Sequence, residues 1–211
     1  RDWSVTGVQT CALPILAQFG LTQIELEELS AQLGSDIPFC IRGGTAIATG
    51  RGEVLDPIPS LTDLYVVLAK YESISVSTPW AYKAYRADFS DRYTDISNTA
   101  TLQERQKRVH AGPMVTAINH KDSAAIGSHL YNDLERVVLP AHEKVMQLRN
   151  SMASHGGLGT MMSGSGPTVF TLAATQQAAD DIMTKVRTDL PASDLKLWSA
   201  CCTATGIRLE S

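Results

Sequence analysis

The sequence lacks any apolar run approaching the ~20 residues that a helix needs to cross a bilayer. Charge of one sign is also missing. Eighteen Lys and Arg stand against 22 Asp and Glu, a net charge of -4, so there is no broad basic face to draw nucleic acid or an anionic membrane. Cysteine is scarce, with 4 in 211 residues. Cys11, Cys40, Cys201 and Cys202 form no C-x-x-C pair, which argues against a zinc ribbon or a disulfide framework and points to a reducing compartment. His110, His120, His129, His142 and His155 are scattered with no H-x-x-x-H spacing, and no metal site is expected from protein ligands. Two common nucleotide loops, G-x-x-x-x-G-K-[ST] and a G-x-G-x-x-G after a strand, are absent as well.

What is present is the composition of a globular chain, 44% hydrophobic and 19% charged. Its first stretch stands apart. Val5-Thr6-Gly7-Val8-Gln9-Thr10-Cys11-Ala12-Leu13-Pro14-Ile15 reads as the in-frame translation of a sequencing adapter, and Arg1–Ser4 and Val5–Val8 can share one nucleotide string read in two frames. Residues 1–15 are therefore set aside as a non-native leader. Pro57 and Pro59 mark a linker, dividing the remainder into 16–60 and 61–211.

Leu16–Leu33 is predicted helical with a break at Gly20, because Thr22-Gln23-Ile24-Glu25 has capping-box form and Leu26, Leu29 and Leu33 make one apolar stripe. Gly34 suits a left-handed residue just past the helix end. Ile37–Ile41 and Thr45–Thr49 are β-prone runs around an Arg42-Gly43-Gly44 turn. Further strands are expected at Leu64–Ala69, Val169–Leu172 and Leu195–Ala204. Thr78 as N-cap and Pro79 behind it open a helix to Ala87. Met114–Asn150 reads as mainly helical with an interruption at Pro140, and Gln176–Thr188 as a helix. Residues 88–112, with a polar patch at Glu104–His110, carry little signal. This order predicts an α+β fold, with helices packed on one face of a small sheet.

Four places could carry chemistry. Asp36, in Gly34-Ser35-Asp36-Ile37-Pro38-Phe39-Cys40, is by local sequence either a turn or cap residue or a general base, and taken alone the cap reading is the stronger. Gly43-Gly44 and Gly50-Arg51-Gly52 read as hairpin turns needing positive φ, with Arg51 facing either a phosphate or Glu53. Met162-Ser163-Gly164-Ser165-Gly166-Pro167-Thr168 precedes a strand, and its successive N–H groups form either an anion nest or a plain turn. In Val76-Ser77-Thr78-Pro79-Trp80-Ala81-Tyr82-Lys83, Trp80 reads as a core or rim aromatic. Asn132-Asp133-Leu134-Glu135 reads as a solvated helix face.

Taken as a block, Asp36 with Gly43-Gly44-Thr45-Ala46, Gly50-Arg51-Gly52-Glu53 and the Ser163-Gly164-Ser165-Gly166 loop resembles the GHMP small-molecule kinases. The resemblance implies a truncated ribosomal-protein-S5 domain 2-like N-terminal domain, of which 16–60 is the ATP-binding remnant, and a ferredoxin-like C-terminal domain over 61–211. It implies ATP with Mg²⁺, and Asp36 as catalytic base. Thr78 and Tyr82 then bind the cytidine end of the substrate, and Ser163, Gly164, Ser165 and Gly166 form a phosphate or site loop. That substrate is a cytidine diphosphate-linked methylerythritol, phosphorylated on its 2-hydroxyl for isoprenoid precursor synthesis, with no nucleic acid or membrane partner and a cytoplasmic or plastid location. Another small-molecule kinase of mevalonate or homoserine type, or an inert fragment, are the rival readings. The resemblance starts near Leu16 and spans about the last two thirds of a full enzyme. The family's Gly/Ser-rich ATP loop and N-terminal lysine find no match, so the chain alone is expected to be inactive. Lys70-Tyr71-Glu72 departs from the family's Lys-Pro.

Overall fold

The computed structural model describes residues 20–90 and 109–207; residues 1–15, expected to be a leader, residues 16–19 of the first expected helix and most of the Glu104–His110 patch lie outside the described residues. Two compact units share the chain. One takes it up to Leu61 and again from Thr203, and the other runs Thr62–Cys202.

In the first unit, helix α1 (Gln23–Ser30) starts with the expected capping box. The Thr22 hydroxyl accepts from the Glu25 N–H at 3.3 Å, and the Glu25 carboxylate accepts from the Thr22 N–H at 2.7 Å. Hydrogen bonds from the Thr22 backbone and then its hydroxyl hold the Glu25 carboxyl below the usual range. The helix closes at Ala31 through a tightened turn, with the Leu33 N–H on the Ser30 carbonyl at 2.9 Å. Gly34 is not left-handed, so that expectation fails.

A larger correction follows. Ile37–Arg42 is a helix (α2), although Ile37–Ile41 reads as strand. Pro38 sits in its first turn, where the fixed φ suits a helix and the missing N–H costs nothing. Gly43 ends it at φ 67°. Gly43-Gly44 is thus a helix-to-strand connection and not a hairpin turn. The end of α2 is finished by distant chain: the N–H groups of Gly206 and Ile207 donate to the Arg42 and Cys40 carbonyls at 3.2 and 3.0 Å. Backbones approach so closely here that a Cβ on Gly43 would overlap the Gly206 nitrogen. At the near side, the Arg42 guanidinium grips Glu27 of α1 at 2.6 Å.

Strands β1 (Thr45–Thr49) and β2 (Val54–Ile58) pair antiparallel from Thr45 opposite Ile58 to Thr49 opposite Val54. Gly50 and Gly52 turn the hairpin at φ 71° and 118°. Pro57, expected in a linker, lies instead in β2 opposite Ala46. A two-stranded sheet has only edge strands, which tolerate the missing donor.

The second unit is ordered strand, helices, strand, strand, helix, strand. It comprises β3 (Tyr65–Tyr71), α3 (Thr78–Asp88), α4 (Pro113–Asn119), α5 (Ser123–Ser128), α6 (Glu135–Ala141) and α7 (Glu143–Ser154), then β4 (Gly159–Met162), β5 (Val169–Ala173), α8 (Gln176–Asp189) and β6 (Leu195–Cys201). The strands are ordered β4-β5-β3-β6, every pair antiparallel, which is the ferredoxin-like arrangement. The α+β expectation is met. Strand β4, only four residues long and opening on Gly159, is absent from the sequence reading. The single helical stretch Met114–Asn150 is four helices, and Pro140 lies in the last turn of α6, so the chain bends just after it at His142.

Alternate residues of β3 set the core. Val67, Ala69 and Tyr71 are buried and cluster with Val145, Leu148 and Met152 of α7 and Ile182 and Val186 of α8. Ends of α7 and α8 are joined by polar bonds: Asp189 accepts from Ser151 at 2.9 Å and meets His155 Nε2 at 2.7 Å.

Two outcomes test this packing. Leu148→Ala removes a fully buried side chain and should lower unfolding stability by about 2–5 kcal/mol in urea titration; a loss below ~1 kcal/mol contradicts the assigned core. The His155 bond, then the Ser151 bond, hold the Asp189 carboxyl below its usual range. Its stabilising contribution is therefore present above the unfolded value of about 3.9 and fades as pH falls through the lower folded value. Thermal midpoints of Asp189→Asn should fall less steeply than those of the native chain below about pH 4.

Candidate functional site

Register brings two of the expected segments together. Val169 at the start of β5 pairs with Ala69 near the end of β3 and with Met162 at the end of β4. The Ser163–Gly166 loop between β4 and β5 therefore lies at the end of the sheet from which the chain leaves β3 for α3. There the Thr78 and Ser165 hydroxyls are hydrogen-bonded at 2.7 Å.

Thr78 is not the N-cap. Ser77 takes that role, accepting from the Trp80 N–H at 3.4 Å, and Thr78 is the first helical residue with Pro79 behind it. This shift frees the Thr78 side chain for the loop. Helix α3 buries Ala81 and Tyr85. Thr78 and Tyr82, four apart, share another face, and Tyr82 is 53% exposed there. Trp80 is a rim aromatic, its ring edge-on to His142 at 5.7 Å between centroids.

The loop is a closed turn. The Ser163 N–H donates to Thr168 at 2.8 Å and the Gly166 N–H to Ser163 at 2.9 Å. Gly164 and Gly166 have φ 55° and 78°, and the Gly166–Pro167 peptide is cis. Around Gly164 no heavy atom lies within 4 Å of an added Cβ, whereas at Gly166 that atom would stand 2.6 Å from the Met162 sulfur.

Sequence reasoning missed the residues behind this turn. Asn132 and Glu135 are not a solvated face: Asn132 Nδ2 donates to the carbonyls of Met162 and Gly164, both at 2.8 Å, and the Glu135 carboxylate accepts from the Met162 N–H at 2.7 Å. The one available signal was the place of Asn132 shortly ahead of a helix, where Asn side chains bond backbone.

Asp36 lies in the other unit. It is exposed and occupies the N-cap position of α2, yet its side chain makes no capping hydrogen bond. The hairpin lies beside it: a Cβ on Gly52 would stand in ordinary contact with Asp36 Oδ1, at 3.6 Å. Arg51 resolves toward Glu53, its Nε 3.5 Å from the carboxylate and its N–H donating to it at 2.8 Å. A cavity of about 480 Å³ between α4 and α5, lined by Pro113, Thr116, His120, Asp122 and His129 among others, holds none of the expected site residues. Among the described residues no cluster of three or more His, Cys, Asp or Glu could hold a metal ion, and no helix is long and apolar enough to cross a membrane.

Residues 114–192 match the family model of the GHMP kinases C terminal domain. Over these residues the chain carries a GHMP kinases C-terminal domain. More particularly, relatives along nearly its whole length carry the name 4-diphosphocytidyl-2-C-methyl-D-erythritol kinase. One from Gloeothece citriformis is 56% identical over 94% of this chain, and one from a Synechocystis strain is 52% identical over 93%. The chain spans about 62% of the length of these relatives. In fold it is similar to a 4-(cytidine 5'-diphospho)-2C-methyl-D-erythritol kinase (TM-score 0.58, 24% identity, 82% of this chain and 55% of that one). It is likewise similar to a mevalonate kinase of L. major (TM-score 0.58, 16% identity, 89% and 61%).

Glycine substitutions distinguish the two sides of the loop. Gly164→Ala meets only left-handed strain, about 1–2 kcal/mol; Gly166→Ala adds the Met162 clash and should be destabilised more. Equal urea midpoints for the two variants would refute the described turn.

Proposed function

We propose that these residues belong to an enzyme transferring the terminal phosphoryl group of ATP to the 2-hydroxyl of 4-diphosphocytidyl-2-C-methyl-D-erythritol, a step in non-mevalonate isoprenoid precursor synthesis. The observation carrying this reading is the agreement of relatives 48–56% identical over more than nine tenths of the chain. The hydrogen bond between Thr78 and Ser165, two residues expected to meet one substrate, supports it.

Phosphoryl transfer to an alcohol asks the protein for position and charge stabilisation, with the hydroxyl proton accepted as the new P–O bond forms and the bond to the leaving ADP breaks. Asp36 is the base in this reading. Its carboxylate is not consumed by capping, so both oxygens are open to a proton, and α2 is tied to α1 by Arg42 and at its C-terminal end by residues 206 and 207. A base so placed contributes about 10²–10⁴-fold. Tyr82 offers an exposed ring for stacking on cytosine, and the Ser163–Gly166 turn faces the phosphates. Mg²⁺ bound to the nucleotide's phosphates would supply charge neutralisation there, as is usual for an ion held mainly by substrate phosphates. A cytoplasmic setting suits the substrate and the free cysteines.

The assay joins this chain with the part of the relatives' length that it does not span and follows transfer from labelled ATP to the cytidine-linked alcohol. Asp36→Asn should lower kcat by about 10²-fold or more. Tyr82→Ala should mainly raise KM, by about 5- to 150-fold if it removes 1–3 kcal/mol of stacking. Transfer to mevalonate or homoserine instead would move the protein elsewhere in the family, and an unchanged KM would remove Tyr82 from the cytidine site.

A further inference from the structure

One side chain holds the Ser163–Gly166 turn from behind. Asn132 donates both amide hydrogens to the turn, to the carbonyls of Met162 and Gly164 at 2.8 Å each, while its Oδ1 accepts from the Leu134 N–H at 2.9 Å. Both donors and the acceptor are in use, so a single amide orientation satisfies the site. Beside it, Glu135 accepts from the Met162 N–H at 2.7 Å, and Arg149 Nε stands 3.8 Å from the same carboxylate oxygen. That Arg149 Nε is buried with no hydrogen-bond partner, while 34% of the Arg149 side chain stays exposed, so the ion pair with Glu135 is partly solvated.

We propose that Asn132 is a positioning residue that makes this turn an anion receptor, by drawing the turn's carbonyl oxygens backwards and so aiming the Ser165 N–H forwards. The inference rests on the reading of the loop as the wall that faces substrate phosphates, and it adds the residue that gives the wall its polarity. The physics is that of one peptide plane. In a trans peptide the C=O and the following N–H point in opposite directions. The Gly164 carbonyl and the Ser165 N–H share such a plane, so tethering the first to Asn132 turns the second away from it. The closing bonds of the turn use the N–H groups of Ser163 and Gly166 and leave that of Ser165 outside them.

An unanchored turn would expose carbonyls as readily as amides, and a carbonyl oxygen repels a phosphate. Fixed dipoles that already face the charge need no reorganisation when it arrives. Two hydrogens remain for an anion on that side: the Ser165 N–H and one from the Thr78–Ser165 hydroxyl pair, since the other hydroxyl hydrogen lies in the 2.7 Å bond between them. The space in front is open at Gly164. Phosphate or diphosphate oxygens are the ligand this set recognises. Arg149 offsets the Glu135 charge, which would otherwise oppose an anion on the far side of the turn.

The test titrates the ¹⁵N-labelled chain with inorganic pyrophosphate and follows the amide signals of Gly164 and Ser165. In the native chain the Ser165 signal should shift saturably. Asn132→Asp, a near-isostere that cannot donate and sets a carboxylate against two carbonyls, should weaken binding by about tenfold or more, with the fold retained by thermal melt. Asn132→Ser, uncharged and with one short donor, should fall between the two and carries the test if the Asp variant does not fold. Glu135→Gln keeps an acceptor for Met162 and removes a negative charge behind the turn, so it should bind at least as tightly as the native chain. Native affinity in both Asn132 variants, or no response of Ser165 in the native chain, overturns the proposal. Failure of the kinase reading looks different: pyrophosphate still binds, but no phosphoryl group moves from ATP to the cytidine-linked alcohol.

Discussion

Strand β3 is hydrogen-bonded along both edges, to β5 and to β6, and every second side chain of it is buried. The rest of the second unit depends on that strand keeping its register. A slip of one residue would turn Val67, Ala69 and Tyr71 out of the core. It would also move the end of β3, from which α3 departs, relative to the β4–β5 turn. The meeting of Thr78 and Ser165 is thus a consequence of apolar burial some distance away. Packing sets where polar groups stand, and the polar groups then fix the last ångström.

The same division of labour appears at α2. Its existence depends on Pro38 near its start and Gly43 at its end, both local devices. Its anchorage depends on chain more than 160 residues away, the N–H groups of Gly206 and Ile207 on carbonyls at its C-terminal end. A helix of six residues is too short to be stable alone. Asp36 is presented at its start only because the other end is held.

Much of the architecture was legible. The Thr22–Glu25 capping box, the apolar run of β3, the Gly50–Gly52 hairpin and the amphipathic α8 all obey short-range rules whose partners lie within a few residues. Failures were of two kinds. Ile37–Ile41 looks like a strand because Ile and Phe favour one, and the decisive helix signals, one proline and one glycine, sit at its edges. Strand β4 and the roles of Asn132 and Glu135 were invisible because their partners are distant: Met162 lies 30 residues from Asn132 and 27 from Glu135. A solvated helix face and a loop clamp look alike until the loop is in place.

By itself the order of residues determined the resemblance to the GHMP kinases, since the Gly34–Glu53 block and the Ser163–Gly166 loop are local strings whose spacing needs no fold to be read, and it determined the α+β character through periodicity. Only the tertiary structure decided that Ser77, not Thr78, caps α3, and that Thr78 therefore turns to Ser165. It alone decided that Asn132, which reads as part of a solvated face, holds the loop. The reason is physical: a backbone pattern is written in neighbours a few residues apart, whereas a hydrogen bond between distant side chains exists only after the core has brought them within 3 Å of one another.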